Sequence, residues 1–426
     1  MENLSNDIQN RFCVNTDATS SNSQGQFSRL SVAYIHSLDF ELHLNKHPRL
    51  LGTVSVTDNL IRAYQLLDYV TVIPPQLATF EELKTFHSEE YIEFLKKVND
   101  LTEDDLLEEE EEEMEKYGIG YDCPFIPQIY DAASMIGGAT VTAAKALLSG
   151  EFQVAVNWGG GWHHAKKDQA DGFCYVNDIV LGILQLLQKY KRVLYVDIDL
   201  HHGDGVEEAF SHTSRVLCFS VHKNDVGFYP GTGLLHDIGH GKGKYYTINV
   251  PLFDGIQDSQ YLELIIPLLS KAQKRFQPDV VVCQCGADTL AGDPFAAFNL
   301  TLKSPGECIK LIKSWNIPLL ALVEVHKIGL WMNTISICGK NYNFSGGYNA
   351  VNTARCWTYL LSLLLDKTLE QDIPDHKFLM KYGPDYELQI FPKTMPNRNS
   401  VKHLKLITDT VLKNIDFIQP PSQEKE

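Results

Sequence analysis

Six short runs of aliphatic and β-branched residues recur along this chain with helix-like segments between them, and that alternation limits its fold more than any other feature. The runs are "QVAVNW" (153–158), "RVLYVDIDL" (192–200), "RVLCFSVH" (215–222), "YYTINVPL" (245–252), "DVVVCQCG" (279–286) and "IPLLALV" (317–323). Helical periodicity fills the stretches 130–150, 176–190 and 259–276. Strands that are apolar along their whole length must be covered on both faces, and intervening helices supply the cover. The expected fold class is therefore α/β, with a central, mostly parallel sheet. In such sheets ligands gather beyond the carboxyl ends of the strands. The polar text falls there: "NWGGGWHHAKKD" follows one strand, "DLHHGDG" a second and "CGADTLAGD" a third.

The chain has 426 residues, 44% of them hydrophobic, enough for one large core, and no internal repeat or Gly/Ser-rich linker divides it. We expect a single domain over 31–415, preceded by a polar, disordered tail (1–30) and followed by a short tail (416–426). The net charge is −17, and much of the excess lies in "EDDLLEEEEEEMEK" (103–116), which reads as a solvated loop or helix face. That balance argues against direct binding to nucleic acid. No apolar run approaches the ~20 residues that span a bilayer, so no membrane association is expected. Nine cysteines, without a CxxC pair, point to reduced thiols rather than a disulfide framework.

Asp199 and His201 stand two residues apart, so on an extended strand they face one side. Both are ordinary zinc ligands, and a catalytic zinc takes three protein ligands while leaving room for water. The third should come from another strand end, where Asp288 is the natural candidate. A lone Asp-x-His is commonly a cap or a satisfied core histidine, but three carboxyl-end loops each offering metal-type ligands favour a metal site. His163 and His164, adjacent after a glycine run, read either as two unrelated histidines or as a general acid/base pair beside the metal. Asp197 and Asp204 would then orient the imidazoles. Asp197 also shares strand parity with Asp199, so a cation bound there is an equal alternative.

These motifs, with "GFCYVND", "YVDIDLHHGDGVEEAF", "PGTG", "QCGADTLAGD" and "GGYNAVNTARCWTYL", closely resemble the zinc-dependent class I histone deacetylases over about residues 30–415. The resemblance implies an arginase-like α/β fold with an eight-stranded parallel sheet. It implies one catalytic zinc held by Asp199, His201 and Asp288, with His163, His164, Asp197 and Asp204 as the acid/base machinery. Tyr348 is implied as the hydroxyl on the developing oxyanion and Asp122 as the rim carboxylate. Gly172, Phe173, Tyr229 and Phe295 are implied as walls of the acyl-lysine tunnel. Potassium is implied at a near site (Asp197, Asp199, His201, Ser220, Val221) and a far one (Phe210, Thr213, Val216, Tyr246). Acetylated lysine peptides or proteins, histone tails among them, are the implied partners of an enzyme active without a corepressor. The implied location is nucleus and cytoplasm, with a role in chromatin and transcription.

The chain departs from the family pattern in several places. Tyr229 replaces a second tunnel phenylalanine, and Phe295 replaces a Leu or Met. The basic residue expected near the foot of the site aligns with Thr53, with Arg49 nearby, so that role is unassigned. The largest departure is an insertion of roughly twenty residues (about 323–345) before "GGYN", with Ser345 replacing a glycine. We expect an exposed, bulged loop over about 324–344 with Tyr348 still facing the zinc. Two other functions compete with a lysine deacylase: an arginase-like ureohydrolase needing two manganese ions, and an acetyl-lysine-binding scaffold weakened by the insertion.

Overall fold

A computed structural model describes residues 31–46, 52–120, 122–323, 335–337, 340–342 and 349–421. Eight parallel strands form its central sheet: β1 (Val32–Ile35), β2 (Thr71–Ile73), β3 (Val154–Asn157), β4 (Val193–Asp197), β5 (Val216–Lys223), β6 (Thr247–Leu252), β7 (Val280–Gln284) and β8 (Leu319–Leu322). Their order is β2-β1-β3-β8-β7-β4-β5-β6. The expected α/β fold is thus present. The six apolar runs became β3 to β8; β1, although buried, and β2, a three-residue edge strand largely exposed, were not among them.

β3, β4, β7 and β8 are buried along their whole length. They are neighbours at the sheet centre although the chain reaches them in two separate passes. The register aligns their carboxyl ends, with Asn157 beside Leu322, Leu322 beside Gln284, Gln284 beside Asp197, and Asp197 beside Ser220. The loops carrying "WGGGWHH", "DLHHGDG" and "CGAD" therefore leave one edge of the sheet side by side. Helices Ile129–Ser149 and Asp178–Leu186 pack against each other. Pro251 sits in edge strand β6, where its missing donor costs no central ladder bond.

The acidic tract forms a short 3-10 turn (Glu103–Asp105) and a helix (Glu108–Lys116), with Glu110 and Met114 turned inward. The C-terminal helix Val401–Ile415 is followed by a docked segment in which Ile418 is fully buried and Gln419 N–H donates to Tyr246 Oη at 3.3 Å. The start of the short tail expected over 416–426 is thus docked on the domain; residues 422–426, like the expected tail 1–30, lie outside the described residues. Within the insertion, Ile335–Ile337 pairs antiparallel with Lys340–Tyr342. The rest of the insertion lies outside the described residues. No helix among the described residues is long and apolar enough to cross a membrane.

Helix Ile129–Ser149 meets the segment Gln76–Ala78 at bare backbone. Ala78 N–H donates to Ser134 O at 2.8 Å, and a Cβ on Gly138 would collide with Gln76 O and Ala78 N. At Gly137 the nearest atoms are the side-chain ends Leu181 Cδ1 at 3.1 Å and Leu83 Cδ2 at 3.2 Å, which can give way. Gly138→Ala should therefore destabilise by roughly 1–3 kcal/mol despite its better helix propensity. Gly137→Ala should cost clearly less, and urea midpoints for the two variants check the difference.

Candidate active site

β4 stops at Asp197, so Asp199 and His201 lie beyond the strand and the simple parity argument does not apply to them. They converge for another reason. Asp197 Oδ1 accepts Asp199 N–H at 3.1 Å, and Asp199 Oδ1 accepts His201 N–H at 2.8 Å. Two successive turns of this kind, each closed by an aspartate on its own backbone two residues on, curl the chain off the sheet. His201 Nδ1 then lies 3.2 Å from Asp199 Oδ1 and 3.0 Å from Asp288 Oδ2, which arrives from β7. All three side chains are buried.

The loop after β3 is fixed by residues the sequence reading passed over. The Asp178 carboxylate accepts the backbone N–H groups of Gly161 and Trp162, and Asn177 Nδ2 donates to Ala165 O at 3.0 Å. This places His163 and His164 as a pair, each on its own buried carboxylate. His163 Nδ1 lies 2.8 Å from Asp197 Oδ2, and His164 Nδ1 lies 2.7 Å from Asp204 Oδ1. Their Nε2 atoms are 3.0 Å apart. With each Nδ1–H donating to its carboxylate, two facing Nε2 lone pairs would repel at that distance, and a proton on one of them would turn the contact into a hydrogen bond. Burial pushes the Asp204 carboxyl upward, but the hydrogen bonds and charges of His164 and Lys166 outweigh it and hold it well below the ordinary range.

Aromatic rings wall the approach. Phe228 stacks on His201 with centroids 5.1 Å apart, Phe295 meets the same imidazole edge-on at 5.2 Å, and Tyr229 meets His164 edge-on at 4.9 Å. Gly172 is buried, Phe173 half-buried, and Gly172 N–H donates to Asp122 Oδ2 at 2.9 Å. Of the predicted wall residues, Gly172 and Tyr229 thus lie against His164 and Phe295 against His201, while Asp122 holds the Gly172 turn. Tyr348 lies outside the described residues, as does Arg49. The described chain resumes at Asn349, whose side chain caps helix Ala350–Leu364. Thr53 is buried at the start of helix Thr53–Ala63.

Of the proposed potassium positions, Asp197 and Ser220 are register partners across β4 and β5, with Val221 next in β5. Phe210, Thr213, Val216 and Tyr246 group elsewhere, around the starts of β5 and β6. There Thr213 N–H donates to Phe210 O at 3.1 Å and Cys218 N–H to Tyr246 O at 2.9 Å.

Comparison with known proteins decides the family. The histone deacetylase domain model matches residues 45–325. Histone deacetylase 8 of Xenopus tropicalis is 46% identical over 379 residues, covering 89% of this chain and 96% of that protein. Histone deacetylase 8 of Danio rerio is 44% identical over 385 residues (90% and 95%), and histone deacetylase 1 of Homo sapiens 40% over 397 residues (93% and 77%). The chain belongs to the histone deacetylase family. It is a hydrolase of the deacetylase type, and the family implies zinc.

The donor set fits that ion. One imidazole nitrogen and two carboxylate oxygens lie within 4.8 Å of one another, and the closest approaches are comparable with the ~3.4 Å edge of a tetrahedron of 2.1 Å bonds. The outer oxygens are already occupied: Gln284 Nε2 donates to Asp199 Oδ2 at 3.0 Å and Leu200 N–H to Asp288 Oδ1 at 2.9 Å. Asp288 Oδ2 is buried, touches His201 as an ion pair, and among the described residues has no hydrogen-bond donor aligned on it. Among the protein groups alone, burial and the Asp199 charge push Asp288 up to about 6. Burial alone would lower His201, but the two carboxylates outweigh it and raise it to about 10. Both shifts express a site that calls for positive charge.

Sequence reasoning missed Gln284, Tyr195, Lys166, Asp178 and Phe228. Tyr195 was legible only as an apolar strand residue, yet its hydroxyl donates to Asp197 Oδ2 at 2.6 Å. Because its native pKa is depressed, Asp204 contributes stability above its unfolded value near 4, and that contribution is lost as pH falls through the ordinary carboxylate range toward the folded value. Asp204→Asn should therefore lower the melting temperature at pH 7, with the deficit against wild type shrinking below about pH 4. Thermal melts of both proteins from pH 7 to pH 3 check it.

Proposed function

We propose that the chain hydrolyses the amide of acylated lysine side chains, histone tails among them. The single observation that carries this reading is the convergence of a zinc-type donor trio with a histidine pair whose imidazoles each rest on a buried carboxylate. When bound, zinc at Asp199, His201 and Asp288 polarises the amide carbonyl and acidifies a water molecule. His164 Nε2 turns from its partner ring to accept the water proton as oxygen attacks the carbonyl carbon. His163 gives the proton held between the rings to the leaving lysine nitrogen as the C–N bond breaks. Transfer of the new proton from His164 to His163, across the same contact, restores the starting state. Asp204 and Asp197 keep each Nδ1 protonated, so that Nε2 is the working atom.

Tyr348 donates to the carbonyl oxygen as its charge grows, a role worth about 3 kcal/mol for a well-placed donor. Asp122 holds the peptide backbone at the rim. Asp197, Ser220 and Val221 would hold a potassium ion, which would steady the turn that presents Asp199. The ureohydrolase reading is less well supported, because only one metal-type trio lies at this site among the described residues.

Asp288→Ala should reduce bound zinc to below a tenth of an equivalent by elemental analysis and abolish hydrolysis of an acetyl-lysine peptide, a general expectation for loss of one of three ligands. Retained activity in zinc-free Asp288→Ala protein would refute the metallohydrolase. His164→Ala should retain zinc and peptide affinity while kcat falls by at least ~10²-fold. Asp122→Ala should instead raise KM. Steady-state kinetics and calorimetry on the two variants separate the roles, and an identical pattern in both would show them misassigned.

A further inference from the structure

The hydroxyl that distinguishes Tyr229 from the family's phenylalanine has a partner. It donates to Asp171 Oδ1 at 2.6 Å, joining the loop after β5 to the loop of Gly172 and Phe173 across 58 residues of sequence. The Tyr229 ring of this bond lies against His164. Gly172 is wedged so closely there that an added Cβ would lie 2.5 Å from His164 Cδ2 and 2.6 Å from Tyr229 Oη. Gly172 and Phe173 both have positive φ, 53° and 70°, and Asp122 holds the same turn through Gly172 N–H. Tyr229 is also 38% exposed, so one ring borders the path from solvent down to His164.

We infer that Asp171 and Tyr229 form a latch along one side of the channel that selects which acyl groups enter. The inference rests on the deacylase reading above. An acylated lysine enters with its acyl end leading, so its widest part must pass Tyr229 before the slim lysine chain follows. A ring tied to a carboxylate cannot swing aside without giving up a charge-assisted hydrogen bond. A linear acetyl group passes the closed latch, whereas a branched acyl group needs it open. Asp171 acts through Tyr229 and is a positioning residue.

The test compares acetyl-lysine with isobutyryl-lysine in one peptide sequence, using the zinc-loaded full chain. Wild type, Tyr229→Phe, Asp171→Ala and Asp171→Asn are each measured for kcat/KM, calorimetric affinity, zinc content and melting temperature. In Tyr229→Phe and Asp171→Ala, the preference for acetyl should fall about tenfold, the scale on which pocket walls discriminate small groups. The change should come mainly from KM of the isobutyryl peptide. Asp171→Asn, whose amide oxygen still accepts the phenol, should keep the wild-type preference. An unchanged preference in Tyr229→Phe and Asp171→Ala overturns the latch, as does an Asp171→Asn variant that behaves like Asp171→Ala. If wild type hydrolyses neither peptide, the deacylase reading falls and the ratio of the two affinities decides the latch alone. Binding of neither peptide overturns both.

Discussion

Asp197, Asp199, Asp204 and Asp288 are all buried at one edge of the sheet, and much of the surrounding structure serves to make that concentration of negative charge tolerable. An unpaired buried carboxylate costs several kcal/mol. Each of these is met by donors from a different part of the chain. Asp197 takes Tyr195, His163 and a backbone N–H; Asp199 takes Gln284 and the His201 N–H; Asp204 takes His164 and Lys166. Among the described residues, Asp288 Oδ2 has no aligned donor, and it lies where the donor trio converges. The same charge explains why imidazoles stand here in number.

Much of this arrangement was legible in the residues themselves. Whole-length apolar runs marked the central strands, and the carboxyl-end rule placed the three polar loops together. The Asp-x-His pair was expected to share one face of an extended strand, but the chain brings the two together by leaving the strand through aspartate-closed turns. What escaped the sequence was the supporting layer. Gln284 and Tyr195 lie inside strands whose apolar pattern hides a polar tip, and Asp178 looks like an ordinary first residue of a helix. Asp171 gave no signal, because its partner Tyr229 is 58 residues away.

The segment before Tyr348, expected from the sequence to be an insertion, has two described flanks that are tied to the site. At the end of β8, Val323 N–H donates to Gly160 O at 2.9 Å, in the loop that leads to the histidine pair. Beyond the insertion, helix Ala350–Leu364 carries Trp357, whose indole donates to Cys285 O at 3.3 Å beside the Asp288 loop and stacks on Trp158. Inserted length is cheap in closure entropy when both ends are held in this way.

The strand order has a consequence for how the protein is made. β3 and β4 emerge early from synthesis, yet they are not neighbours; β8 and β7, made much later, must fit between them. Leu200 N–H waits 88 residues for the Asp288 carboxylate that accepts it. Until that late segment arrives, the growing chain exposes the flanks of two apolar strands, and the acidic turn after β4 lacks Gln284. Such non-local pairing slows folding and leaves sticky intermediates. The active site is therefore complete only once β7 and the Asp288 loop have been made and paired beside β4.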